Sequence, residues 1–69
     1  MGLIRVMKID HTMGNKVQVE VEVRTSAGQF SFPVKVDDQG SAGNNEREGF
    51  LELQKFLEEA LELVRHQLG

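Results

Sequence analysis

The sequence predicts an α+β domain in which a three-stranded antiparallel meander is followed by one long amphipathic helix packed on one face. Three observations predict it. Val17, Val19, Val21 and Val23 stand on every second position, as do Phe30, Phe32, Val34 and Val36, the period-2 pattern of half-buried strands. The segment between the two runs is short and contains glycine, as a hairpin requires. From Phe50 onward the apolar residues switch to intervals of three and four, which places them on one helical face. The chain is 69 residues long, so the βββα unit is read as one domain, 1–69, at a size where a single core gives only about 3–5 kcal/mol of net stability.

Residues 3–9, LIRVMKI, read as the first strand from their β-branched and aliphatic content. One alternate set is Leu3, Arg5, Met7 and Ile9 and the other is Ile4, Val6 and Lys8. The strand is therefore apolar on both faces. DHTMGN, residues 10–15, is a turn in which Gly14 and Asn15 tolerate positive φ. Val17 to Val23 form the second strand. Its core residues carry odd numbers and those of the third strand even ones, so the hairpin loop must be even in length unless a bulge intervenes. Ala27 and Gly28 as a two-residue turn satisfy this, pairing Val23 with Phe32, Val21 with Val34 and Val19 with Val36. On the opposite face that register sets Glu20 against Lys35 and Pro33 against Glu22. Proline lacks the ladder donor, so the third strand belongs at a sheet edge.

DDQGSAGNN, residues 37–45, reads as a polar, flexible connector. Asn45, with Glu48 three residues later, then resembles a helix start, and Glu46 and Glu48 favour the dipole of the first turn. The helical stripe comprises Phe50, Leu53, Leu57, Ala60, Leu61, Val64 and Leu68. Phe56 and Leu63 widen it along one side, and Leu51 lies off it.

Composition narrows the function classes. The chain has no cysteine, which excludes disulfides and thiolate metal sites. A formal charge of −3 gives no global attraction to phosphate backbones, and the four phenylalanines, the only aromatic residues, all fall on the core faces or the helical stripe. Nucleic acid is thus an unfavoured partner. No apolar run reaches the about 18 residues of a membrane span, and no signal-peptide pattern is present; the expectation is a cytoplasmic chain without a membrane partner. His11 and His66 have no companions for a triad or a ligand set, and read as a turn residue and a helix C-terminal residue. Asp37, Asp38, Asn44, Asn45 and Glu48 lack the calcium-loop order, because Ala42 stands where that loop needs glycine. No catalytic, cofactor or metal residue is assigned, and the chain is read as not an enzyme.

Self-association is the remaining stabiliser for so small a core. A helix over 46–68 would measure about 34 Å, against about 25 Å for strands of seven or eight residues, so part of its stripe overhangs the sheet. A homodimer follows as the expectation, with a protein partner as a further possibility. The residues a single βββα unit leaves unexplained are the candidate interface: Leu3, Ile4, Val6, Met7 and Ile9 on the first strand, with Leu51, Phe56 and Leu63 on the helix. An unpaired strand edge offers a second route, by strand addition.

Two local resemblances bear on this. GNKVQVEVEVRTSAGQF, residues 14–30, is similar to the N-terminal strand and turn of enolases, whose barrel and catalytic residues have no room in this chain, so no enolase activity is implied. FLEEALELVRHQL, residues 56–68, with the three-strand sheet before it, resembles part of HicB-type antitoxins, although their Pro-Asp-Leu-Pro-Gly-Cys-like stretch is missing. That resemblance implies the alternative function, a nucleic-acid-linked regulator such as an antitoxin or phage-type inhibitor. Such a protein would act through an acidic mimic face or through a basic groove of Arg5, Lys8, Lys16 and Arg24.

Overall fold

The computed structural model describes residues 2–69. Its elements run β1 (Leu3–His11), β2 (Lys16–Thr25), β3 (Gly28–Asp37) and α1 (Ala42–Leu68), and the sheet has the antiparallel order β1-β2-β3. The βββα architecture is the one the sequence predicts. β2 is the central strand, and its Val17, Val19 and Val21 are fully buried between the sheet and α1 together with Val36 and Leu53.

β1 resolves the conflict between its two apolar faces with a bulge. Leu3 to Val6 pair with Arg24 to Val21, the register slips, and Lys8 to His11 pair with Glu20 to Val17. Met7 is the extra residue. A one-residue insertion exchanges the faces of everything that follows it, so Ile4, Val6 and Ile9 all share the face of the β2 valines, while Arg5, Lys8 and Asp10 share the opposite one. Without Met7 the strand is a regular alternation. Deleting Met7 should therefore leave the fold intact, changing stability by no more than about 1 kcal/mol, while the straightened edge becomes more prone to strand pairing. Urea unfolding and light scattering of the deletion variant read the two effects; loss of the folded state would show that the bulge is required.

The β2–β3 hairpin differs from the predicted register by two residues. Thr25 pairs with Gly28, Val23 with Phe30, Val21 with Phe32, Val19 with Val34 and Val17 with Val36, so the turn is Ser26–Ala27 rather than Ala27–Gly28. The Ala27 N–H donates to the Thr25 hydroxyl, and Gly28 takes a φ of 149° that suits glycine. A shift of two preserves the faces, which is why the core residues are those expected. It also removes a clash of chemistry, since the predicted register would set Asp38 opposite Val17 on the core face. In the observed one Val36 lies there, and Asp37 meets Lys16 in an ion pair on the open face. Pro33 consequently sits opposite Glu20, and Lys35 opposite Gln18. β3 is an edge strand, which its proline requires.

The helix begins four residues earlier than predicted. Ser41, in an extended conformation, is the N-cap, and its hydroxyl accepts from the Asn44 N–H at 3.2 Å. Asn45 is instead buried inside the first turns, where its Oδ1 accepts from the Gln39 N–H at 2.7 Å and its Nδ2 donates to Asp38 Oδ1. The 37–45 segment is thus a hydrogen-bonded corner, with β3 entering it to Asp37 and α1 leaving it from Ala42. Ala42 and Gly43 are weak signals at a helix start, and the cap at Ser41 is hidden behind them.

Candidate interaction surface

The helix seats only its first half. Its buried residues are Asn45, Gly49 and Leu53, one face over three successive turns. Gly49 permits the close approach: a Cβ there would lie 2.9 Å from Val19 Cγ1. Beyond Leu53 no helix residue is buried, and contact with the sheet thins to Phe56 against Phe32 and a groove facing Ile4. A 27-residue helix extends for about 40 Å, which accounts for the 42 Å long axis of the molecule.

The overhanging half carries the apolar stripe into solvent. Leu61 is 49%, Val64 53%, Leu63 67% and Leu68 84% exposed. Leu57 and Phe56 are exposed as well. On the β1 side Ile4 stands off from the helix, and an apolar groove opens between them, lined by Ile4, Phe50, Leu53, Leu57 and Leu61 with Gln54 and Glu58 at its rim. On the β3 side the Phe56 ring packs against Phe32, with centroids 5.9 Å apart and planes tilted by 59°. Contiguous exposed apolar side chains on this scale mark contact surfaces.

The open face of the sheet has a different character. Glu22, only 5% exposed, accepts from Arg5 Nε at 2.9 Å and from Gln29 Nε2 at 2.6 Å, with Arg24 Nη2 at 3.6 Å. Lys8 pairs with Asp10 and Lys16 with Asp37. The basic residues of the predicted groove, Arg5, Lys8, Lys16 and Arg24, therefore share one face, each with a carboxylate within ion-pair distance. Internal neutralisation of this kind leaves little charge to attract phosphates.

His11 and Asp38 meet beside the helix start, with 3.9 Å between His11 Nδ1 and Asp38 Oδ2. The Gly40 N–H donates to Asp38 Oδ1 at 2.9 Å. This bond, then the Asn45 amide, and least the nearby His11 hold the Asp38 carboxyl below its ordinary 3.8, against a smaller opposing effect of burial. The hydrogen bonds of the Asp38 carboxylate serve the corner between β3 and α1, and Ser41 is occupied by its capping bond. Among the described residues no group of three or more histidine, aspartate or glutamate side chains is arranged to hold a metal ion, and no helix is long and apolar enough to cross a membrane.

The predicted interface residues divide among these environments. Val6 and Ile9 are half-buried against the core, whereas Leu3, Ile4 and Met7 are exposed. Ile4 lines the groove and Phe56 and Leu63 flank it from the other side of the helix, while Leu51 lies further back beside Phe50 and Arg47. Leu57, Leu61, Val64 and Leu68 carry the predicted stripe past the last helix residue seated on the core, Leu53, and are exposed in the single chain. The disparity between helix and strand lengths is the signal that points to them. No family model matches the chain, and comparison with curated proteins and with solved structures finds no similar protein, so the local resemblances to enolases and to HicB-type antitoxins carry no further argument.

Proposed function

We propose that this protein is a non-enzymatic protein–protein interaction module that acts as a homodimer through its overhanging helix, in the cytoplasmic setting expected from the sequence. The observation that carries the reading is the run of exposed apolar side chains from Leu57 to Leu68 on the helix half beyond its last buried residue, Leu53. An isolated helical extension with such a stripe has little reason to stay ordered by itself, because most helical stability comes from burying the amphipathic face.

The strand edges are weaker candidates. β1 presents the Met7 bulge and Lys8 at its free edge and β3 presents Pro33, the devices that discourage strand addition. The nucleic-acid alternative is disfavoured by the internally paired cations of the open face. The expected mass in solution is twice the 7.8 kDa of one chain, measured by light scattering over a micromolar concentration series. A constant single-chain mass up to about 100 µM, a concentration at which even weak dimers of roughly 8 kcal/mol at 1 M standard state populate, would overturn the reading.

A further inference from the structure

Along the groove side of α1, Leu57, Leu61, Val64 and Leu68 follow one another at intervals of four, three and four, the repeat of a helix–helix seam. Glu58 and Arg65 flank that seam on the same side, each one position after a seam residue. They are seven residues apart, about 10 Å along the helix, too far to pair with each other. Among the described residues neither makes an ion pair within its own chain.

We propose that the occupant of this surface is the same segment, residues 57–68, of a second copy, running antiparallel about a two-fold axis between positions 62 and 63. This deepens the homodimer reading and rests on it. In this register Leu57 meets Leu68 of the second copy and Leu61 meets its Val64, and each Glu58 lies beside the second copy's Arg65. Two symmetry-related ion pairs thus border one apolar seam, as an isologous contact demands. The alternatives are poorer. Sliding the helices by one heptad, so that Phe50 meets Leu68, brings the two Glu58 side chains together, and a parallel arrangement sets each charge against the Ala60 or Gln67 side of its neighbour. A stable interface buries about 800 Å² per partner, more than a four-residue seam supplies alone. The antiparallel register adds to it by laying the second copy's Leu68 against Leu57, at the mouth of the groove that Ile4, Phe50 and Leu53 continue.

The experiment is a charge exchange read by sedimentation equilibrium at low salt, on the wild type, Glu58→Arg, Arg65→Glu and the double variant. Both positions are exposed, so folding should be unaffected, which circular dichroism checks. Each single variant places like charges together at two symmetric sites and should raise the dimer dissociation constant about tenfold. The double variant should return to within about threefold of wild type, and an equimolar mixture of the two single variants should form a heterodimer tighter than either homodimer. A wild-type dimer indifferent to the single changes, or a double variant weaker than both, would overturn the register while leaving the homodimer reading in place. A monomeric wild type would overturn both.

Discussion

Gly49→Ala should destabilise the fold by about 1–3 kcal/mol, even though alanine favours an exposed helix interior by about 1 kcal/mol over glycine. The reason is the crossing of α1 over β2. The added Cβ would lie 2.9 Å from Val19 Cγ1, 3.0 Å from Val19 Cβ and 3.3 Å from Val19 Cγ2, closer than packed carbons approach. Val19 has no room to withdraw, being fully buried in the central strand with Ile9 and Val34 on either side of it. Relief must therefore come from lifting the helix, which loosens Leu53 as well. Urea unfolding of Gly49→Ala, Val19→Ala and the double variant tests the contact. The double variant should lose less than the two single losses combined, because shortening Val19 admits the new methyl. A Gly49→Ala protein as stable as wild type would show that the helix does not sit this close.

Leu61→Glu should disrupt self-association without unfolding the monomer. Leu61 is 49% exposed in the single chain, so a carboxylate there is solvated and harms neither the core nor the helix. In a homodimer the same side chain is buried at the centre of the seam, twice over by symmetry. Truncation or charging of such a central residue typically costs at least about 2 kcal/mol per site, so the two sites together cost about 4 kcal/mol, which corresponds to a dissociation constant raised by roughly 700-fold or more. Circular dichroism should retain the helix up to about residue 53 and lose part of the signal beyond it as the unpartnered half frays. Leu51→Glu, off the seam, is the companion control and should leave the dimer intact. Equal weakening by both substitutions would move the contact to the outer side of the helix.

Much of this architecture is legible in the residues, and the departures share a physical cause. The alternation in β2 and β3 reports faces, and faces survive a shift of two residues; parity alone therefore identifies the core valines but not which of them oppose one another. The capping bond from Ala27 to Thr25, and the unfavourable placement of Asp38 opposite Val17, separate the two registers. The same limit obscures β1. A single inserted Met7 turns a regular alternation into an apparently two-faced strand, since the extra residue looks like any other in the composition. At the corner, the side chains of Asn45 and Asp38 bond to backbone and to each other rather than to solvent, so a polar, glycine-containing segment forms a defined turn. The overhang follows from the helix and strand lengths, but which stripe residues it leaves exposed does not, because helical spacing reports that a face is to be covered and not what covers it.

Self-association is read by sedimentation equilibrium of the unmodified chain across roughly 1–100 µM, the range in which interfaces of ordinary affinity populate. The homodimer reading predicts a mass that approaches twice 7.8 kDa as concentration rises. A mass of one chain throughout that range would contradict it.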